Sequence, residues 1–263
     1  MPEFVGRWGT IYYRDRSPVR PSGDSTPDEP PTVVLLHNFM STGRMAWGSI
    51  ADDLAGDYRV VLPDLPGHGK SRGHLPAFAH REMAAELAAL LHALGVTRPH
   101  MVGCSAGGMI AAWMIEERLA DPATLTLVSS TYSVNPATTG IEPDLRPESF
   151  RAGPTWLEST ARLHDEHQGA GYFDGTLLPA FRALTPQTAL DLSLARLANW
   201  ALPVCLIHGA QDEIFPVELA HQMHDVLPDS ELHVVPEQGH ALLFRRTRVV
   251  GELLRDFLAR RGG

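Results

Sequence analysis

Val102-Gly103-Cys104-Ser105-Ala106-Gly107-Gly108 is the stretch around which the rest of the chain is organised. A short apolar run, His100 to Cys104, leads into it, and a helical run, Met109 to Leu119, leaves it. Glycines at 103 and 107 flank the serine at the spacing of a nucleophile elbow. A serine at the tip of a sharp strand-to-helix turn sits in strained backbone, with chain packed closely on both sides. Side chains at 103 and 107 would collide there, so glycine fits. The turn exposes the hydroxyl and aims helix-start amides at negative charge developing beside it. The same seven residues also describe a glycine-rich junction carrying an inert serine. An acid and a histidine in the right places downstream separate the two readings.

At 263 residues the chain is long enough for one substantial core with an inserted subdomain. Hydrophobic residues are 44% and charged residues 20%, the composition of an ordinary globular protein. A formal charge of −9 without a long basic run argues against a nucleic-acid surface and an anionic membrane surface. Cys104 and Cys205 both lie in apolar runs and read as reduced, buried thiols. Met1 to Phe4 lacks a basic region followed by an apolar one, and no stretch approaches the ~18 apolar residues of a membrane helix. A cytoplasmic enzyme is the expectation.

Outward from the elbow, short β-branched runs alternate with helical stripes. Residues 4–14 suggest antiparallel strands turning at Gly9, and Asp15 to Pro31, with five prolines, reads as a long mobile loop. Thr32 to Leu36 and Arg59 to Leu62 are buried strands, with a helix around Trp47 to Ala55 between them. Residues 81–94 form an amphipathic helix closed by Gly95, and Thr124 to Ser129 is a fourth buried strand. This order implies a mostly parallel sheet covered by helices on both faces. From Thr131 to Trp200 it breaks into three helices, over 155–167, 172–184 and 186–200, the last with Thr185 as N-cap and Pro186 at N1. Residues 1–130 and 201–263 are thus the expected core and 131–200 an inserted helical cap. In the second part, strands Pro203 to His208 and Glu231 to Val235 alternate with helices Pro216 to Leu227 and Leu242 to Arg260.

A serine hydroxyl is a poor nucleophile until a base takes its proton, and the base needs a third group to fix its tautomer. Asp212 follows one buried strand and His240 the next, both at strand C-termini, where parallel sheets place their sites. The order Ser, Asp, His is that of an α/β-hydrolase. Together with LLHN at 35–38, DLPGHGKS at 64–71, GCSAGG at 103–108, GAQDEIFP at 209–216 and QGHALLF at 238–244, it makes the chain resemble the α/β-hydrolase fold superfamily, in its serine-nucleophile esterase or lactonase-like branch. The resemblance implies Ser105 as nucleophile, His240 as base then acid, and Asp212 as its orienting partner. It also implies an oxyanion hole from the backbone amides of Phe39 and Ala106.

The family usually carries glycine where this chain has Asn38, a residue that tolerates left-handed backbone and whose amide could reach the substrate. Substrate-contact candidates are Asn38, Met40, Trp156, Tyr172 and Phe173, with Phe181 and Trp200 also available to an apolar pocket; at helical spacing the cap aromatics read equally well as cap core. Glu213 is the alternative acid. Asp64, His37, His68 and His208 read as scaffold, and Cys104 as a buried filler. His164/His167 and His221/His224 have metal-compatible spacing but no completing ligands, so they read as solvated helix faces. No metal or cofactor is expected.

The expected reaction is hydrolysis of a carboxylic ester, lactone or thioester of a small-molecule acyl substrate through an acyl-enzyme. An acyltransferase, C–C hydrolase or lyase would use the same three residues. A ligand-binding receptor or sensor on the same fold is the reading from another class. Turnover of an aryl ester separates the receptor from the enzymes.

Overall fold

The computed structural model describes residues 2–18, 29–73, 78–151 and 155–261. Much of the loop expected over 15–31 lies outside the described residues, as does part of the DLPGHGKS-to-helix connection.

The first half of the chain runs β1 (Glu3–Val5), β2 (Gly9–Arg16), β3 (Thr32–Leu36), α1 (Gly43–Leu54), β4 (Arg59–Pro63), β5 (Arg72–Gly73), α2 (His80–Ala93), β6 (His100–Cys104), α3 (Ala106–Glu116) and β7 (Thr124–Val128). After a long irregular excursion it resumes with β8 (Val204–Gly209), an α-helix Val217–Val226, β9 (Ser230–Val235) and two closing helices, Leu242–Arg245 and Thr247–Arg261. The sheet order is β1-β2-β4-β3-β6-β7-β8-β9, with β5 paired to β2. From β4 to β9 every pairing is parallel, whereas β1, β2 and β5 pair antiparallel.

Residue alternation sorts the side chains of the buried strands into two cores. Val34 and Leu36 of β3 and Met101 of β6 pack with the apolar stripes of α2 and α3. Val33 and Leu35, with Val102 and Cys104, pack on the other face against Trp47 of α1 and Val250, Leu254 and Phe257 of the last helix. These strands are apolar at consecutive positions because both faces are covered. The order reverses between β3 and β6, so the chain leaves these neighbours toward opposite sides and opens a crevice at their C-terminal ends. Ser105 stands at that crevice.

The excursion between β7 and β8 holds α4 (Pro136–Thr139), a short 3₁₀ turn Pro147–Ser149, α5 (Trp156–Gln168), a π-helical turn Phe173–Leu177, α6 (Leu178–Arg182) and α7 (Leu194–Leu197). The closing elements are then α8 (Val217–Val226), α9 (Leu242–Arg245) and α10 (Thr247–Arg261).

Three sequence expectations need correction. The first turn lies over Gly6–Trp8, closed by Gly6 N–H to Gly9 O at 2.8 Å, because Gly9 pairs with Gly73 of β5. The helix expected over 186–200 shrinks to α7. The backbone at Leu190 and Leu192 pairs with Val134 and Tyr132, Trp113 Nε1 donates to Ala189 O, and Asp191 takes Ser133, Asn135 and Thr138. Those long-range bonds override local helix propensity. The closing helix breaks at Arg246, where Thr247 turns its hydroxyl onto Leu243 O.

No helix among the described residues is long and apolar enough to cross a membrane.

Candidate active site

Ser105 is the residue between β6 and α3, at φ 50° and ψ −116°, a left-handed region that a side chain enters only under constraint. The constraint is visible on both sides. A Cβ on Gly103 would lie 2.4 Å from Gly107 C, and one on Gly107 would lie 2.3 Å from Leu36 O. Ser105 N–H donates to Val128 O at 2.9 Å, and Ser130 Oγ donates to Ser105 O at 2.8 Å. The serine is therefore pinned by β7 and its exit on one side, while Gly107 packs against β3 on the other, and its hydroxyl is left free to turn toward the crevice.

Two loops at the same sheet edge bring up the other predicted residues. Ser105 Oγ donates to His240 Nε2 at 3.0 Å, and His240 Nδ1–H lies 3.0 Å from both oxygens of Asp212. A carboxylate only accepts, so it fixes this tautomer. Asp212 is itself held by the N–H groups of Ile214 and Phe215, each at 2.9 Å from Oδ1. Burial alone would raise its pKa, but His240 and the donors around it hold the carboxyl below its ordinary value. The rings of Phe150 and Phe215 stand edge-on to His240 at 5.4 and 5.3 Å, which shields the line of hydrogen bonds from water.

Glu213, the alternative acid, points elsewhere. Its carboxylate accepts the backbone N–H groups of His240 at 3.0 Å and Arg151 at 2.8 Å, so it holds the histidine's loop and not its ring. That anchoring role is absent from the sequence reading, because nothing in the GAQDEIFP stretch distinguishes the directions of two adjacent acids.

Phe39 and Ala106 are both almost fully buried and line the same small cavity as Ser105. Among the described residues neither backbone N–H has an acceptor, so both remain available to an oxygen near Ser105. Asn38 departs from expectation: its backbone is not left-handed, and the positive φ falls on Met40, at 63°. The β3 exit turns two residues later than expected because His37 fixes its start. Leu65 N–H donates to His37 Nε2 at 2.8 Å, leaving Nδ1–H for Asn38 O at 2.8 Å. Burial pushes the pKa of His37 down to about 3, so the ring stays a neutral brace. Asn38 Nδ2 donates to Phe39 O at 3.0 Å, while Asn38 Oδ1 is buried without a partner among the described residues.

Two cavities border the Ser105–His240 pair, one lined by each residue. The larger, about 500 Å³, is lined by His240, Asn38, Met40, Trp156, Phe244 and Arg245, among others. The smaller, about 10 Å³, is lined by Ser105, Ala106, His80 and apolar side chains that include Phe181 and Ile214. Phe39 and Phe150 belong to both walls. Of the aromatic candidates, Trp156 and Phe181 thus face cavities. Tyr172 instead donates to Gly67 O at 2.8 Å, and Phe173 is buried against His164, tying α5 and its neighbours to the core. Trp200 Nε1 donates to Glu116. His80 was not among the sequence candidates, since a histidine at a helix start carries no signal of its own.

Several other titratable groups brace the fold. His208 Nε2–H donates to Phe215 O at 2.7 Å, and burial lowers its pKa below the ordinary value. Asp64 accepts the N–H groups of Gly43 and Lys70 and closes the turn. His164 is fully buried against His68, contrary to the solvated face expected of it, because Thr160 O takes its Nδ1–H. Burial also raises the Cys104 thiol. Among the described residues one group gathers three possible metal-binding atoms, on Cys205, Glu231 and His233. Arg260 already spans both Glu231 oxygens at 2.7 and 2.8 Å, so that corner holds a guanidinium.

Comparison with known proteins places this geometry in context. A family described as "alpha/beta hydrolase fold" matches residues 31–181. A Pseudomonas savastanoi pv. phaseolicola protein named "Putative carbamate hydrolase RutD" is 32% identical over 260 residues, covering 87% of this chain and 93% of the relative. A Nitrosospira multiformis protein named "Pimeloyl-[acyl-carrier protein] methyl ester esterase" is 31% identical over 238 residues, covering 81% and 88%. Among solved structures, a thermophilic esterase from Thermogutta terrifontis shares the fold with a TM-score of 0.71 at 22% identity, covering 98% of both chains.

Proposed function

This chain belongs to the alpha/beta hydrolase fold family, and from that premise we propose that it is a serine hydrolase cleaving a carboxylic ester, lactone or thioester of a small molecule through an acyl-enzyme. The observation that carries this reading is the unbroken line from Ser105 Oγ through His240 to a buried, ionised Asp212, with both links at 3.0 Å.

The steps follow from the geometry. As Ser105 Oγ forms its bond to the substrate carbonyl carbon, its proton passes to His240 Nε2, and Asp212 stabilises the imidazolium. The carbonyl oxygen takes the negative charge and lies toward the N–H groups of Ala106, at the start of α3, and Phe39. His240 then gives the proton to the leaving oxygen or sulfur as its bond to carbon breaks. Water attacks the acyl-enzyme with His240 again as base, the bond from Ser105 Oγ to the acyl carbon breaks, and the hydroxyl recovers its proton.

The names of the two relatives fit this reading, since a carbamate and a methyl ester both join a carbonyl carbon to a heteroatom leaving group. Acyl transfer would share the first half of the cycle and differ only in the acceptor. Residues 131–200 serve as a cap, since Phe150, Trp156 and Phe181 from that segment wall both cavities.

The test is a fluorophosphonate probe with an aryl-ester assay. One adduct per chain on Ser105 and loss of turnover in Ser105→Ala are expected. Turnover that survives Ser105→Ala unchanged would remove the proposal.

A further inference from the structure

The two cavities differ in which end of the Ser105–His240 bond they touch, and this difference assigns the two halves of a substrate. The inference rests on the acyl-enzyme reading above. His240 must hand its proton to the leaving atom, so the leaving group occupies the cavity that His240 lines, the one of about 500 Å³. The acyl group stays bonded to Ser105 and occupies the cavity that Ser105 lines, of about 10 Å³. That narrow space admits at most a substituent of a few atoms beside the carbonyl, so a long acyl chain has no room in it.

The acyl-side wall is apolar except at one place. Apart from Ser105 itself, its polar side chain is His80, the first residue of α2. His80 is fully buried, and neither ring nitrogen has a hydrogen-bond partner among the described residues. Its backbone is fixed by His80 N–H to Thr188 O at 2.8 Å, and the Phe39 ring lies against it at 6.2 Å. Burial also pushes its pKa down to about 4, so the neutral ring offers one N–H donor and one bare nitrogen acceptor. A buried polar group with no partner calls for one, and here the ring lines the cavity beside Ser105, where a substrate oxygen can supply it. A hydroxyl can meet either nitrogen, and a carbonyl oxygen can meet the N–H.

We infer that His80 selects the acyl half of the substrate: a short acyl group carrying one hydroxyl or oxo oxygen, joined to a larger leaving group. Charge excludes a second carboxylate there, because neither His80 nor the surrounding apolar wall supplies a counter-charge.

The experiment compares para-nitrophenyl propanoate, lactate and octanoate, each rate divided by that of alkaline hydrolysis to remove intrinsic reactivity. Lactate and propanoate differ only in the hydroxyl. The parent enzyme should favour lactate over propanoate in kcat/KM and take octanoate worst. In His80→Leu the preference for lactate should fall roughly tenfold, the size of one lost hydrogen bond. His80→Asn, which restores a donor and an acceptor, should recover part of it. A parent enzyme with no preference for lactate, or one that favours octanoate, overturns the inference even if His80→Leu fails to fold. An unchanged ratio in a folded His80→Leu also overturns it. In these outcomes Ser105 still takes the fluorophosphonate, so the hydrolase reading stands. If Ser105 neither labels nor turns over any ester, that reading and this inference fall together.

Discussion

Glu213 and His240 are joined through the main chain: the carboxylate of one accepts the backbone N–H of the other at 3.0 Å. The neighbouring acid, Asp212, accepts from the same histidine's ring. Two consecutive carboxylates therefore hold one residue in different ways, one fixing where its loop sits and the other fixing its tautomer.

That division predicts unequal losses. Asp212→Asn presents an amide to the ring and favours the wrong tautomer, so kcat should fall by about 10⁴, the scale of the same change in a serine protease. Glu213→Ala should cost about tenfold in kcat/KM, since it removes an anchor of the loop and leaves the ring's partner in place. Glu213→Gln retains an accepting oxygen and should recover most of that loss. Steady-state kinetics with one aryl ester checks all three, and the opposite ranking would make Glu213 the acid.

Asn38 acts on Phe39, whose carbonyl it binds at 3.0 Å. Asn38→Gly should therefore reduce kcat by about five- to tenfold through a looser Phe39 amide. A drop of about 10²–10³ would be the signature of a direct oxyanion donor and would place the Asn38 side chain on the reacting oxygen. Measured kcat with a small acetate ester distinguishes these outcomes.

The elbow glycines test the packing around Ser105. Gly107→Ala drives a Cβ to 2.3 Å from Leu36 O, where both partners are backbone and neither can rotate away. The melting temperature should fall with activity, by an amount corresponding to about 3 kcal/mol or more. Gly95→Ala is the contrast, because a Cβ there meets nothing within 4 Å and only the positive φ of 66° resists it. It should cost about 1 kcal/mol by chemical denaturation. Equal losses at the two positions would mean that close approach to β3 is not what requires glycine at 107.

The sheet and the three residues at its edge were legible for one physical reason. Buried parallel strands are continuous apolar runs, and strand-end loops carry the polar residues that cannot be elsewhere. Thr32 to Leu36 and His100 to Cys104 were therefore readable to the residue. Pro186 to Trp200 was not, because its conformation depends on Asp191 meeting Ser133, which lies far away in sequence. The aromatic residues of the 131–200 insertion were equally opaque. Helical spacing puts Trp156 and Tyr172 in one class, and only the fold sends one to a cavity and the other to Gly67. Met40 took the backbone strain assigned to Asn38 because the His37 brace sets the turn, and that brace needs Leu65.

Acid should destabilise this protein well before its carboxylates titrate. His37, His68 and His80 are fully buried, and burial lowers all three pKa values: to about 3 for His37, to about 4 for His80, and well below the ordinary value for His68. Their unfolded counterparts titrate near about 6.5. Above that pH both states are neutral at these rings and stability does not depend on them. Below it the unfolded chain binds protons that the folded chain refuses, so stability falls as pH falls. The loss continues until the folded rings themselves protonate. Each histidine can add up to about 1.4 kcal/mol per pH unit to the slope. Urea unfolding free energy should therefore be level near neutrality and drop steeply between about pH 6.5 and pH 4.5. Replacing His80 by leucine should make that drop shallower by one histidine's share, whatever it does to stability at neutral pH. A parent protein with a flat profile across the interval would mean that all three rings take up protons in the folded state.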